Sequence, residues 1–360
     1  MRIAIIGGGI IGLLTARELA LAGQSVIVLD QARIGAEASW AGGGILSPLY
    51  PWRYPEPVNR LAHWSQQHYP SLAVELIQEG GIDPQWTQSG LLVLDQTEQA
   101  EAITWAAAYG LSCERLDARD CELLEPALRV PGQKALWFPT LAQVRNPRLV
   151  KSLKESCTRH GVELRASSPV TGITVRGDQI TAVETSGASL AADAVVVATG
   201  AWSARLLSSL GMQIPVRPVR GQMIMYHLQP GQVQHINLYE GHYLIPRQDG
   251  RLLVGSTLEE ADFDKSTTIE ARQELVQFAG SLFPFLQEEQ IEQQWAGLRP
   301  GSPNGIPYIC QVPNMSGLYL NTGHYRNGVV LGLASARLLA DMIVGRPPIL
   351  NPAPYGLVRS

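Results

Sequence analysis

The sequence is poor in the residues that build metal sites and disulfide frameworks. Its four cysteines stand singly and form no CxxC motif: Cys113, Cys121, Cys157 and Cys310. His63 and His68 have no acidic residue at ligand spacing, so no metal site is predicted. Scattered thiols of this kind are typical of reduced cysteines in a cytoplasmic protein.

Clusters of basic residues and the motifs of nucleophilic hydrolases are also missing. The formal net charge is −4 and the pI is about 6.0, which argues against nucleic acid as a partner. No GxSxG motif occurs, and no cysteine–histidine pattern indicates a nucleophile. Glycines break the apolar N-terminal stretch after Ile6, so it predicts a strand rather than a signal peptide or membrane span. We therefore expect no membrane partner and a cytoplasmic location.

The first thirty residues contain the clearest motif. An apolar run over 2–6 leads into Gly7-Gly8-Gly9-Ile10-Ile11-Gly12, a helical stretch, and a second apolar run closed by Asp30. This order of strand, glycine turn, helix, strand and acid is typical of a dinucleotide site. Gly7 permits the tight turn, Gly9 lets the backbone approach a pyrophosphate, and Gly12 lets the helix pack on the strand. The helix N-terminus attracts the phosphates, and Asp30 is predicted to bind a ribose hydroxyl.

A second junction of the same kind lies near the C-terminus. A predicted strand over 317–321 runs into Gly323-His324-Tyr325-Arg326-Asn327-Gly328, and a long apolar helix follows over 329–344. A buried strand over 194–198 ends in Thr199-Gly200 and is predicted to return to the nucleotide. A further GxGxxG motif mid-chain, as a nicotinamide cofactor would need, is absent. We therefore expect one large cofactor, FAD, which the substrate itself reduces.

Between the two junctions the pattern changes from strands alternating with helices to consecutive antiparallel strands. Strands over 223–227, 242–246 and 251–256, with a hairpin turn at Gln248-Asp249-Gly250, indicate a second sheet. We predict an α/β fold (α+β overall), with a Rossmann-like FAD-binding domain and a mixed antiparallel-sheet substrate domain. The predicted ranges are 1–85, 141–215 and 296–360 for the discontinuous FAD-binding domain, and 86–140 and 216–295 for the substrate-binding domain.

Two side chains are candidates for binding a substrate carboxylate. Arg299 lies in Gly297-Leu298-Arg299-Pro300-Gly301, a predicted turn that would hold its guanidinium for bidentate contact. A surface ion pair is the alternative for this residue. Tyr243 falls within a predicted strand, where its hydroxyl could assist Arg299 or could simply belong to the core. Arg326 and His324 precede the last helix, beside the predicted flavin end of the cofactor.

With these segments in place, the chain resembles the FAD-dependent amine oxidases of the D-amino acid oxidase superfamily, and within it the glycine oxidase branch. The most specific matching segments are 243–247, 295–301 with 305–308, and 323–328. The resemblance implies that Arg299 binds the substrate carboxylate, Tyr243 assists it and Arg326 lies at the substrate amine. These three are the predicted catalytic and substrate-binding residues. Cys310 lacks the Cys-Met-Tyr setting of covalent flavin attachment, so the FAD is expected to be noncovalent.

The predicted cofactor-binding residues combine the glycine motifs with positions that match the family. They are Gly7, Gly9, Ile10, Ile11, Gly12, Asp30, Gln31, Ala38, Ser39, Gly43, Gly44, Ile45, Val170, Gly200, Gly323, His324, Tyr325, Arg326, Asn327, Gly328, Val329 and Val330. The segment over 35–44 is so rich in small residues that its backbone is predicted to lie against a large planar ligand.

The resemblance implies oxidative deamination of glycine, and of small amines or D-amino acids such as sarcosine and D-alanine, by hydride transfer to flavin N5. The products are a 2-oxo acid, ammonia and hydrogen peroxide, and the glycine imine would supply the thiazole of thiamine. The implied partners are a small amino acid, dioxygen and further copies of the chain in a homotetramer. A D-amino acid or sarcosine oxidase or dehydrogenase is the alternative. A flavin-dependent tRNA-modifying oxidase is disfavoured by the negative net charge.

Overall fold

The computed structural model describes residues 1–129, 132 and 134–357. Residues 130, 131, 133 and 358–360, which fall in the predicted domain ranges, lie outside the described residues. The strands are β1 (Arg2–Ile6), β2 (Ser25–Leu29), β3 (Leu91–Val93), β4 (Glu114–Asp117), β5 (Lys134–Phe138), β6 (Glu163–Arg165), β7 (Val170–Arg176), β8 (Gln179–Thr185), β9 (Ser189–Ala191), β10 (Ala194–Val197), β11 (Arg217–His227), β12 (Ile236–Tyr239), β13 (His242–Pro246), β14 (Arg251–Gly255), β15 (Ile291–Gly301), β16 (Tyr308–Gln311) and β17 (Leu318–Thr322). The helices are α1 (Ile10–Leu21), α2 (Ala38–Ala41), α3 (Glu56–Gly80), α4 (Gln99–Ala108), α5 (Ala118–Leu124), α6 (Asn146–Arg159), α7 (Ser203–Ser208), α8 (Ile269–Leu282) and α9 (Gly328–Val344).

The first sheet has six strands in the order β16-β17-β10-β1-β2-β6, and its strands are parallel except for the edge strand β16. Strands β1 and β10 are continuous apolar runs because helices or strands cover both faces of the sheet. Helices α1, α3, α6 and α9 pack on one face. The antiparallel sheet β7-β8-β9 packs on the other face.

The second sheet has eight strands in the order β15-β11-β14-β13-β12-β3-β5-β4, and only the β12–β3 pair is parallel. Alternating residues of β11, β13 and β14 separate into two clusters, one against α8 and one facing the interior of the protein. The predicted α/β fold with a separate mixed sheet is confirmed. The predicted domain division stays a prediction, and its boundary between 295 and 296 falls inside β15.

The expectation that Arg299 lies in a turn is wrong. Strand β15 runs through Gly301 and pairs with β11 from Arg217 to Tyr226. Glycine and proline are typical of turns. Pro300 is nevertheless accommodated in a strand, because β15 is the edge strand of its sheet and has no second neighbouring strand that would need its N–H. Arg299 is therefore held by a long antiparallel pairing, opposite Val219.

Helix α9 contains a long apolar stretch. The segment Tyr325–Val344, which comprises α9 and the turn before it, is long and apolar enough to cross a membrane, but 72% of its apolar stretch is buried inside the protein. It packs against α1 and α3 in the core above the six-stranded sheet. A helix that is buried on all sides in the core of a large protein is apolar all round, so the composition of α9 fits a core helix.

Candidate functional site

A cavity of about 520 Å³ lies where the carboxyl ends of the parallel strands face the eight-stranded sheet. Ile6, Leu29, Ala198 and Thr322 mark the ends of β1, β2, β10 and β17 in its wall. The carboxyl ends of parallel strands are where open α/β sheets bind nucleotides. The cavity therefore has a dinucleotide end on one sheet and a second end on the other.

At the dinucleotide end, close backbone packing positions the start of α1. Gly7 has a φ of +108°, and a Cβ on Gly12 would stand 1.9 Å from the carbonyl oxygen of Gly7. Gly9 caps the helix without a side chain, and the N–H of Ile10 donates to Ser39 Oγ at 2.8 Å. The positive end of α1 is thus presented to the cavity with little around it except backbone.

The acid at the end of β2 is fixed by the glycine turn. Asp30 accepts hydrogen bonds from the N–H of Gly8 at 2.8 Å and of Ala32 at 2.9 Å. Asp30 and Gln31 line the cavity, and a carboxylate has lone pairs for further donors. This arrangement fits a carboxylate that receives a ribose hydroxyl at a fixed position.

Gly42, Gly43, Gly44 and Ile45 form one wall of the cavity, which we call the glycine wall. A Cβ on Gly43 would stand 2.6 Å from Ile245 Cδ1 and 3.2 Å from the ring of Tyr243. Only glycine therefore lets this wall lie between the cavity and the eight-stranded sheet. The small-residue segment predicted to lie against a planar ligand does line the cavity.

The second glycine junction closes the opposite side. Gly323 turns the chain with a φ of +80°, a short 3-10 turn follows over Tyr325–Asn327, and α9 starts at Gly328. His324 is 1% exposed, and burial lowers the pKa of its imidazole to about 3, so the ring is neutral at pH 7. His324 Nε2 and Asn327 Nδ2 are buried without a hydrogen-bond partner. Buried polar atoms of this kind are rare unless a ligand or water satisfies them.

Arg299 points its guanidinium into the sheet end of the cavity. Nη1 donates to the carbonyl oxygens of Arg220 and Thr257 at 3.1 Å, and Nη2 donates to Ser256 Oγ at 2.6 Å. The guanidinium lies directly over Gly221, where a Cβ would stand 2.0 Å from Nη2. Three neutral acceptors thus orient the cation without neutralising it.

Tyr243 and Arg326 stand beside Arg299. The Tyr243 hydroxyl donates to Met223 Sδ at 3.8 Å, and Arg326 Nη2 donates weakly to the carbonyl oxygen of Gly241 at 3.4 Å. Burial lowers the pKa of the Arg299 guanidinium; Tyr243 opposes this shift, and the charge of Arg326 adds to it. The sheet end therefore concentrates two guanidinium groups around one small space.

These cations have no acidic partner. Neither Arg299 nor Arg326 forms an ion pair with any residue that the structure describes. The acidic side chains in the described cavity wall are Asp30 and Glu37, and Glu37 pairs with Lys265 at 2.9 Å. A buried charge is costly unless it is paired, so the geometry favours an anionic group on the ligand.

The cavity brings together almost all the residues predicted for the site. Tyr243, Arg299 and every predicted cofactor residue except Gly12 and Gly323 line it. Gly12 and Gly323 act behind the wall, by close packing and by turning the chain. The assigned roles of these residues stay predictions.

Sequence reasoning missed several lining residues. They include Trp202, Arg205, Gly221 and Met223. Gly221 and Met223 alternate on β11, the strand that pairs with the strand of Arg299. Trp202 and Arg205 follow β10 in a 3-10 turn and α7, and no local motif indicates Arg205.

Comparisons with known proteins agree with this geometry. A family model described as "FAD dependent oxidoreductase" matches residues 2–342. The chain is 48% identical to a glycine oxidase of Pseudomonas aeruginosa, covering 98% of each protein. It is 34% identical to a bifunctional ThiO/ThiG protein of Synechocystis, covering 95% of this chain and 51% of that protein. The crystal structure of glycine oxidase from Geobacillus kaustophilus is similar over 100% of this chain and 99% of that one, with a TM-score of 0.93 and 30% identity.

Proposed function

Because the chain belongs to the family of FAD-dependent oxidoreductases, we propose that it is an amino acid oxidase that acts on glycine. The predicted family, fold and FAD cofactor are confirmed by the family match and by the likeness to glycine oxidase structures. The assignment of glycine follows the relatives of nearly equal length, which are named glycine oxidases.

The residues present fit FAD. The bare N-terminus of α1 suits the pyrophosphate, and Asp30 suits the adenosine ribose. The glycine wall leaves room for a flat ring system. The unsatisfied His324 Nε2 and Asn327 Nδ2 offer hydrogen bonds at the start of α9, where the helix dipole favours negative charge. A bound FAD would supply a two-electron acceptor for the hydride of the substrate carbon, and reduction of dioxygen to hydrogen peroxide would remove these electrons.

One observation carries the substrate class: two guanidinium groups line the sheet end without an acidic partner. Arg299 is oriented by neutral acceptors, so its remaining hydrogen-bonding capacity is available to a carboxylate. Tyr243 is adjacent and adds a hydroxyl. Met223 also lines the cavity, where its sulfur accepts the Tyr243 hydroxyl.

The proton chemistry needs no side-chain base. His324 is neutral and buried, Asp30 is held by the glycine turn of the dinucleotide end, and Glu37 is paired with Lys265. Arg326 disfavours a second positive charge nearby, so the substrate binds with its amine deprotonated. Catalysis then rests on orientation by Arg299 and Tyr243. The resulting imino acid is hydrolysed by water to a 2-oxo acid and ammonia.

The test is anaerobic mixing of the purified yellow protein with glycine. We expect the visible flavin absorbance to bleach and to return when oxygen is admitted, with one peroxide formed per glyoxylate. Sarcosine, D-alanine and larger D-amino acids form the comparison panel. A protein that bleaches with a larger D-amino acid and not with glycine would instead be a D-amino acid oxidase.

Arg299→Ala tests the carboxylate site. Charge-assisted hydrogen bonds contribute about 1.5–3 kcal/mol each, so we expect the KM for glycine to rise about a hundredfold while FAD stays bound. Arg217→Ala is the control, because Arg217 lies on the partner strand and pairs with Glu260 at the surface. An unchanged KM in Arg299→Ala would contradict the role of this residue.

Several further features belong to the same proposal. The FAD is noncovalent, which acid precipitation followed by absorbance of the supernatant tests; Cys310 lies on β16, outside the cavity wall as far as the structure describes it. The protein is a cytoplasmic homotetramer, which sedimentation and cell fractionation test. The imine of glycine is passed on to form the thiazole of thiamine, as the relatives named bifunctional ThiO/ThiG proteins suggest.

A further inference from the structure

The strand that carries Tyr243 also carries a buried arginine that the proposed reaction does not use. Tyr243, Ile245 and Arg247 alternate along β13 and its end, so their side chains share one face of the sheet. Tyr243 faces the substrate end, Ile245 packs under Gly43, and Arg247 lies farther along behind the glycine wall. Arg247 is 8% exposed.

The guanidinium of Arg247 joins the glycine wall to the segment behind it. Nη2 donates to the carbonyl oxygen of Gly43 at 2.6 Å, and Nη1 donates to the carbonyl oxygen of Val144 at 3.0 Å. Nη1 also donates to Gln143 Oε1. Because the Gly43 carbonyl belongs to the cavity wall, Arg247 determines where that peptide sits.

The two segments held by Arg247 are also paired with each other. The N–H of Val144 donates to the carbonyl of Gly44 at 2.9 Å, and the N–H of Leu46 donates to the carbonyl of Ala142 at 2.9 Å. Backbone pairing fixes their spacing. Gln143 Nε2 links the segment behind the wall to β13 by donating to the carbonyl oxygen of Pro246 at 2.9 Å. The side chain of Arg247 is the link between the eight-stranded sheet and the glycine wall itself, at Gly43.

Arg247 is as unusual electrostatically as Arg299. It forms no ion pair with a described residue, since the nearby Asp249 pairs with Arg145 and Arg251. Burial, with a smaller contribution from Arg145, lowers the pKa of the Arg247 guanidinium to about 9. It therefore stays charged at pH 7 although its environment opposes the charge. A buried cation without a carboxylate is expensive, and an apolar residue would pack here at lower cost.

We propose that Arg247 is a positioning residue for the cofactor, which holds the glycine wall against the flavin through the Gly43 carbonyl and places a positive charge behind it. The three fixed hydrogen bonds explain why the residue is an arginine. An uncompensated positive charge close to the bound ring favours the reduced, more negative form of the cofactor. This inference rests on FAD as cofactor and not on glycine as substrate.

The experiment compares Arg247→Met and Arg247→Lys with the wild type, after FAD has been removed and added back. The FAD Kd is measured by flavin fluorescence and the two-electron reduction potential by dye equilibration. We expect Arg247→Met to weaken FAD binding at least tenfold and to shift the potential to lower values. Lysine keeps the charge but cannot make the forked contacts, so Arg247→Lys should keep most of the potential while binding FAD at least threefold more weakly.

Arg251→Met is the matched control, because Arg251 lies on the neighbouring strand β14 in a partly exposed ion pair. It should leave both quantities unchanged. A fall in thermal stability alone, with FAD Kd and potential as in the wild type, would make Arg247 merely structural and overturn the proposal. If Arg247→Met does not fold, wild-type FAD binding by Arg247→Lys would overturn it as well. A wild-type protein that binds no FAD would overturn both the cofactor assignment and this inference, whereas normal FAD binding by the wild type and by Arg247→Met alike would overturn this inference alone.

Discussion

The two ends of the cavity are lined by different kinds of chemical group. At the dinucleotide end the cavity is lined mainly by backbone, with a helix N-terminus and glycines that let peptide pack on peptide, together with the carboxylate of Asp30. At the sheet end it is lined by long side chains, Arg299, Tyr243 and Arg326, on elements far apart in the sequence. The first end thus depends mainly on residues without a side chain, and the second on side chains that have no acidic partner among the described residues.

Arginine shows the difference most directly. Arg17 on α1 is buried behind the dinucleotide end and is neutralised by Glu75 at 2.8 Å and Glu79 at 2.6 Å. Arg299 is only partly exposed and meets only neutral acceptors. Arg17, which lies away from the cavity, is thus paired within the protein, while Arg299, which lines the cavity, is left without an acidic partner. Four substitutions test this comparison.

The largest effect is expected at the backbone end, for Gly12→Ala. The added Cβ would stand 1.9 Å from a carbonyl oxygen that cannot move without displacing β1. We therefore expect the free energy of unfolding to fall by about 3 kcal/mol or more, and FAD binding to be lost. Urea denaturation and FAD titration measure the two. Gly280→Ala is the control, because no atom lies within 4 Å of its Cβ position in α8 and alanine favours a helix. Tight FAD binding by Gly12→Ala would show that the close packing is dispensable.

At the sheet end, Gly221→Ala should damage the substrate site and spare the cofactor. A methyl group there meets the tip of Arg299, which can swing away. We expect a KM for glycine raised about tenfold to a hundredfold, from the loss of one or two charge-assisted contacts. Steady-state kinetics and FAD titration separate the effects. Gly172→Ala on β7 is the control: its added Cβ has only a distant neighbour, so it should change neither the KM for glycine nor FAD binding. A normal KM for Gly221→Ala would mean that the position of Arg299 does not require a glycine at 221.

Tyr243→Phe should have a smaller effect at the same end. The hydroxyl is one neutral group beside a charged one, so its loss costs about 1 kcal/mol, or roughly a fivefold rise in the KM for glycine. Kinetics at saturating oxygen measures it. Tyr226→Phe is the control, since Tyr226 lies in the same sheet on the face against α8. An effect on FAD affinity but not on KM would assign Tyr243 to the cofactor.

The paired arginine is tested through the acid dependence of Glu79, which binds it. Burial would raise the pKa of Glu79, but hydrogen bonds from Arg17, Ser156 and His160 outweigh it and lower the pKa to about 2. Because the folded pKa lies below the unfolded value, this contribution is fully present above about pH 4.5 and is lost as the pH falls toward 2. It amounts to at most about 3 kcal/mol.

Glu79→Gln should therefore flatten the acid limb of the stability curve, measured by urea denaturation from pH 6 to pH 2.5. The exposed Glu101→Gln on α4 serves as the control and should leave the curve unchanged. An acid limb as steep in Glu79→Gln as in the wild type would mean that other carboxylates dominate it.

The backbone end could be predicted almost completely from sequence, because its signal is local. β1, α1 and β2 are contiguous, and their glycines occupy fixed positions within thirty residues. The sheet end could be predicted only as a set of candidates. Arg299 was assigned to a turn because Pro300 and its glycines are typical of turns, whereas pairing with β11 about eighty positions earlier decides its conformation.

The contacts of Gly221 and Arg247 could not be predicted for the same physical reason. Gly221 matters because a guanidinium from another strand lies over it, and Arg247 because a carbonyl from residue 43 reaches it. Both contacts depend on strand register, which a single sequence does not encode locally.

The unpaired guanidiniums at the sheet end also govern the enzyme between turnovers. A pocket that is electropositive and has no internal counter-ion recruits small anions from the medium whenever no amino acid occupies it. Acetate, formate and the 2-oxo acid product carry the same carboxylate as the substrate. We therefore expect small carboxylates to compete with glycine for this end of the cavity, so that the apparent KM for glycine rises with their concentration.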